Sequence, residues 1–174
     1  MNEEDVVQKG DPVLRKKAIE VSKKEISSDK IKRVITDMKQ ALHATDDGVA
    51  IAAPQIGISK RIFLVHQDAL QDRADTDNND KVFINPEIVK TSQKTVVVDE
   101  GCLSVRDVYG KIERSAQATI RAFDEDGGAF EMGASGLLAQ IFQHETDHLD
   151  GVLFVDNASD LKEITHEPKK HEEI

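Results

Sequence analysis

Apolar residues recur at helical spacing in two stretches of this chain. From about Ser28, the positions Ile31, Val34, Ile35, Met38 and Leu42 fall three or four apart, with Ser27, Ser28 and Asp29 available as caps and Gly48 as a stop beyond. A second helix begins near Ser135, carries Leu137, Ile141, His144 and His148 on one stripe, and ends at Gly151. Residues 61–65, 82–84 and 95–98 are short runs rich in β-branched side chains and read as strands. Residues 118–123 and 129–132 flank Asp124-Glu125-Asp126-Gly127-Gly128, which is hairpin punctuation. Residues 10–15 read as a docking loop, and 67–80, rich in Asp and Asn, as an exposed loop without chemistry. From Asp160 onward, mixed Lys and Glu with Pro168 suggest a short helix and a frayed tail. There is no internal repeat and no linker.

A chain of 174 residues suits one compact domain, 1–174, with a polar tail from about 160. Hydrophobic residues at 39% and charged residues at 32% describe a soluble globular protein; with no Trp and 4% aromatics, its core must be mainly aliphatic. The net charge of −10 argues against general nucleic-acid or membrane binding, since phosphate surfaces call for clustered Lys and Arg. A lone cysteine, Cys102, cannot form an internal disulfide and fits a reducing compartment. The acidic start Met1-Asn2-Glu3-Glu4-Asp5 does not have the form of a secretory or mitochondrial leader, so the expected location is cytoplasmic.

The densest chemistry lies in Gln143-His144-Glu145-Thr146-Asp147-His148. Residues i and i+4 project from one helix face, so His144 and His148 can grip one metal ion while Glu145 reaches water beside it. Such a motif arises by chance in a chain of this composition on the order of 2 times in 100. Its histidines continue the apolar stripe, where a metal site gains a dry surround. A third ligand is needed. The metzincin pattern requires a histidine where Phe154 stands, and a thermolysin-like glutamate could come only from Glu163 or Glu167 in the polar tail. Cys102 is the other candidate, directly after a β-rich run. The fold implied is α+β: mixed or antiparallel sheets packed around a central metal-binding helix, with an N-terminal helix and a short C-terminal segment. His43, His66, His166 and His171 have no spacing partners and read as ordinary surface histidines.

Three motifs in order, Gly48-Val49-Ala50-Ile51-Ala52-Ala53-Pro54-Gln55, Glu100-Gly101-Cys102-Leu103-Ser104 and the paired-histidine segment, make the chain resemble the peptide deformylase family over nearly its full length. Gly10-Asp11-Pro12-Val13-Leu14-Arg15 and Ile84-Asn85-Pro86 extend the likeness. That resemblance implies Cys102, His144 and His148 as ligands, Glu145 as acid/base, and the Gln55 amide and Leu103 backbone N–H as oxyanion donors. It implies one divalent ion, Fe(II) with Zn(II) or Ni(II) as substitutes, and removal of the N-formyl group from the initiator methionine of new chains. Gly48, Val49, Ala50, Ile51, Gly101 and Ile141 are candidate substrate walls. Gln143 and Asp147 are candidates to orient the histidines, and Glu100 with Arg114 to brace the Cys102 loop.

Two positions depart from the family pattern. Ala50 replaces a usual glycine, which would narrow the site or alter its preference, and Arg106-Asp107 follows Ser104-Val105 where proline is common. In the tail, Lys162, Lys169 and Lys170 are offset by Asp160, Glu163, Glu167, Glu172 and Glu173, which argues against ribosome docking; a monomer is expected. The rival readings are a small metallopeptidase built on the same helix, and a catalytically weakened deformylase-like binding protein.

Overall fold

The computed structural model describes residues 3–70 and 79–164. Among the described residues, two helices and eight strands make an α+β architecture. Five strands form one antiparallel sheet in the order β1 (Ala50–Ala52), β2 (Ile62–Val65), β3 (Lys81–Thr91), β6 (Gln117–Phe123), β7 (Ala129–Ser135). A second antiparallel sheet holds β4 (Thr95–Cys102), β5 (Val105–Ser115) and β8 (Ser159–Glu163).

Strand alternation explains how the first sheet is clothed. In β2, Ile62 and Leu64 face one way and join Ile51, Val82 and Ile84 beneath helix α1 (Asp29–His43). Phe63 and Val65 face the other way, with Ala50, Ala52 and Phe83, against helix α2 (Gly136–Leu149). Both faces are therefore dry, which is why β2 reads as an unbroken apolar run. Phe83 is the hub on the α2 side, stacked on Phe63 at 4.5 Å and meeting Phe142 edge-on at 5.4 Å.

Helix α1 starts where its sequence indicates. The Ser28 side chain accepts the Ile31 amide, and Ile31, Val34, Ile35, Met38 and Leu42 are all buried. Helix α2 touches β1, β3, β6 and β7 of the first sheet and β5 of the second, so it lies between the two. Its buried face carries Leu138, Phe142, Glu145 and Leu149 along with Ile141 and His148. Leu137, placed on that stripe by the sequence pattern, is instead half exposed. Beyond α2, Gly151 adopts φ 78°, and a Cβ there would lie 2.6 Å from the Arg15 carbonyl oxygen.

Several local expectations change. Residues 159–163 form β8, paired with β5, not a helix; every residue of β8 is exposed, so its charges sit on a solvated strand. Strands β1 and β5 carried no clear sequence signal. Within 67–80, Gln67–Leu70 form a 3-10 turn whose Leu70 is buried, while 71–78 lie outside the described residues. In β3 the register shifts between Ile84 and Glu87. There Asn85 takes φ 49° and its side-chain amide pairs with both the N–H and the C=O of Val21, each at 2.8 Å, beside Pro86.

The 3-10 turn Pro12–Arg15 fits the expected docking loop: Leu14 is fully buried, and Arg15 forks onto Asp156 at 2.6 and 3.0 Å. The Arg15 hydrogen bond holds the Asp156 carboxyl below its ordinary 3.8. A group with a lowered folded-state pKa contributes stability above its ordinary value and loses it as pH falls through the folded one. Asp156→Asn should accordingly lower Tm slightly at pH 7, and the gap from wild type should close below pH 3.8 in thermal melts.

Candidate metal centre

Four elements converge beside α2. Cys102 ends β4, where the pairing with β5 shifts between Glu100 and Cys102 and the chain turns through Leu103-Ser104. At Gly101 in that bulge, a Cβ would meet the exposed Tyr109 ring at 2.6 Å, so any larger residue would have to displace that ring. Helix α2 brings His144 and His148, one turn apart, opposite the cysteine. One ligand atom from each of Cys102, His144 and His148 lies within 4.8 Å of the others, an arrangement that could hold a metal ion. Cys102 Sγ and His148 Nε2 are 3.1 Å apart.

Electrostatics support that reading. Burial alone would push the Cys102 thiol up, but the two imidazoles outweigh it and bring it down to about 5, so the sulfur is a thiolate at neutral pH. Burial alone would also disfavour a charged His144, yet its hydrogen bonds to Cys102 and Glu100 hold it well above its ordinary value. A thiolate with two carboxylates around paired imidazoles is a site demanding positive charge, which a divalent cation meets. Glu145 is fully enclosed, burial raises its carboxyl, and its Oε2 has no hydrogen-bond partner among the described residues.

The supports are specific. Glu100 accepts from His144 Nδ1 at 2.8 Å, which leaves Nε2 as the ligand atom. Arg114 grips Glu100 with two bonds, Nε at 2.8 Å and Nη2 at 3.0 Å, and extends Nη1 to Asp147 at 2.6 Å. Burial would raise the Glu100 carboxyl, but His144 and Arg114 prevail and bring it to about 2. This pair is buried and bidentate, not a screened surface contact. Asp147 acts on the histidines only through Arg114. Gln143 does not reach them: it bonds the N–H and C=O of Ser115, stitching α2 to the end of β5.

Gln55 lies in the 3-10 turn Ala53–Ile56, fully enclosed. Its Oε1 accepts the Ala52 amide at 2.8 Å, which points Nε2 at Ser104 Oγ, 3.2 Å, and Cys102 Sγ, 3.7 Å. Two features escaped the sequence reading. Ser104, completely buried, receives that amide and directs its own N–H at Cys102 Sγ. The segment before residue 10 straps the loop, with Val7 N–H on Gln55 C=O, Lys9 N–H on Ser104 C=O and Gln8 Nε2 on Leu103 C=O. Only paired distances reveal either one.

A cleft opens over Cys102 and His144, lined among others by Gly48, Val49, Ala50, Gly101, Leu103 and Ile141. Leu137, the residue displaced from the core stripe, is at its edge. Ile51 does not reach the cleft; alternation along β1 turns it into the cluster under α1. Asp107, on the far rim, holds φ 61°.

The polypeptide deformylase family model matches residues 3–163. The chain belongs to that family. A peptide deformylase from Pseudothermotoga lettingae is 42% identical over 147 residues, covering 84% of this chain and 78% of that protein. Peptide deformylase 1 of Ralstonia nicotianae is 38% identical over 169 residues, 96% of this chain and 94% of its own. Among solved structures, the Synechococcus elongatus deformylase in complex with actinonin superposes with a TM-score of 0.77 at 37% identity, covering 89% of this chain and 78% of that one. A class I type b deformylase from Acinetobacter baumannii bound to Met-Ala-Ser gives a TM-score of 0.77 at 34% identity, over 87% and 96% of the two chains. Deformylases are metal-dependent hydrolases, in keeping with the Cys-His-His cluster.

The network around Glu100 makes a direct prediction. Arg114→Met strands a buried carboxylate and should cost about 3–5 kcal/mol of folding stability in urea titrations. Adding Glu100→Gln to it should recover part of that loss.

Proposed function

We propose that this chain hydrolyses the formamide of N-formyl-methionyl polypeptides, releasing formate and a free α-amine. One observation carries the reading: a cysteine and two histidines converge, the cysteine and one histidine opening onto a cleft, beside an enclosed glutamate whose Oε2 lacks a partner among the described residues.

Cys102, His144 and His148 would hold a divalent ion, which would supply Lewis acidity toward the formyl oxygen and the attacking water. Iron(II) is the expected ion, with zinc or nickel as substitutes, since a thiolate with two imidazoles suits softer divalent metals. Glu145 takes the proton of the attacking water; its raised carboxyl value fits a base that must later act as an acid. It then gives that proton to the departing nitrogen. As charge builds on the formyl oxygen, Gln55 Nε2 donates to it, already oriented by the Ala52 amide, together with the Leu103 backbone N–H. Glu100 keeps the His144 ring fixed, so the ligand set does not have to reorganise during the reaction.

The methionine side chain packs against Val49 and Ile141, while Gly48 and Gly101 let substrate backbone approach. Ala50 projects its methyl onto the same cleft, trimming space on that side. Among the described residues no helix is long and apolar enough to cross a membrane. We take the chain to act as a cytoplasmic monomer on nascent polypeptides. Asp160, Lys162 and Glu163 lie in the exposed β8, while Glu167, Lys169, Lys170, Glu172 and Glu173 lie outside the described residues.

The test is formate release from formyl-Met-Ala-Ser by the iron-loaded protein prepared without oxygen. Glu145→Ala should lower kcat by about 10²–10⁴-fold, and Gln55→Ala by about 10²–10³-fold, with the metal still bound. Cleavage of free-amine peptides without formate would instead establish a peptidase. Equal formate rates for wild type and Glu145→Ala would remove that residue from catalysis, and no formate from either would favour a binding protein.

A further inference from the structure

A second set of metal-type ligands lies away from the cleft. His43 closes α1, His66 follows β2, and Asp80 leads into β3; one ligand atom from each falls within 4.8 Å of the other two. None of the three lines the cleft. His43 Nε2 stands 2.6 Å from Asp80 Oδ2, and the two imidazole rings lie 4.6 Å apart, tilted by 50°.

The carboxylate is held in place for this geometry. The Asp80 side chain is only 7% exposed, and its Oδ1 accepts the Gln67 amide at 3.1 Å, which turns Oδ2 toward the imidazoles. His66 Nδ1 accepts the Asp68 amide at 3.1 Å and lies 3.5 Å from the Asp68 carboxylate, which would take an Nδ1–H in the tautomer that offers Nε2 to an ion. A simple His43–Asp80 pair would account for one imidazole. It gives no reason to seat a second ring beside it, with the two ring centroids 4.6 Å apart. A dication would engage both rings and the carboxylate at once.

The surroundings also favour positive charge. His43 sits at the C-terminal end of α1, where backbone carbonyls concentrate negative potential. His43 and Asp80 line a second, separate cleft, where Asp124, Glu125 and Asp126 of the β6–β7 turn outnumber Lys39 and Lys81.

We propose that His43, His66 and Asp80 form a second, structural site for a divalent cation of borderline character, zinc being the probe of choice. Two imidazoles and a carboxylate are a ligand set such ions accept, with water able to complete the shell. The ion fastens the end of α1 to the exit of β2 and the entry of β3. It also steadies one cleft wall, because the His66 amide donates to the Val49 carbonyl at 2.8 Å.

The experiment is zinc stoichiometry, by elemental analysis of the chelator-stripped full chain after equilibration with Zn(II). Wild type should bind two equivalents. His66→Gln, and separately the exposed His43→Gln, should bind one, melt at wild-type Tm without metal, and lose the additional zinc-induced rise in Tm. Both should keep formate release within about twofold of wild type. Cys102→Ser with His144→Ala should also bind one equivalent, now at the second site. A single equivalent in wild type, or two retained in both histidine variants, overturns the proposal. Because these readouts count ions, they stand whether or not formate is released.

Discussion

Arg114 is one of very few charged side chains that this protein removes from water, and it holds two carboxylates at once. Glu100 comes from the β4–β5 hairpin and Asp147 from α2, so a single guanidinium fixes the second sheet against the helix that bears both histidines. Glu100 in turn holds His144. A buried ion cluster of this kind is not an efficient source of stability, because desolvation consumes much of the Coulomb gain. What it supplies is position. A thiolate on one sheet and imidazoles on a helix under another would drift relative to each other if apolar packing alone joined them, since such packing tolerates sliding that a forked hydrogen-bonded pair does not.

Much of this was legible in the residue pattern where the pattern is local. Helix α1 declared both its stripe and its cap, α2 its ligand spacing, and 118–132 its hairpin. Strand β5 did not, because its outward positions Arg106, Lys111 and Glu113 interrupt the apolar alternation on a sheet with one wet face. Strand β8 is entirely exposed and is set by pairing to β5 alone, so its charges read as tail. Strand β1, three residues long, is too short to show a period.

The centre divides along the same line. His144, Glu145 and His148 stand within one helical turn and could be read directly. Cys102 could be joined to them only through the likeness of whole motifs. The Arg114–Asp147 contact, the Ser104 support and the strap from Val7 to Lys9 link segments far apart in sequence, and nothing in the residue types announces such partners. The same holds for His43 and His66, which look like stray surface residues until β2 and β3 bring Asp80 between them.

A sulfur that ionises near 5 is prepared for more than holding a cation. Thiolates attack peroxides, and Cys102 borders an open cleft, so once uncovered it would climb the ladder from sulfenic to sulfinic acid, the latter step irreversible for most proteins. An ion occupying its lone pair shields it. A cation held by Cys102, His144 and His148 would therefore also act as an antioxidant for the sulfur.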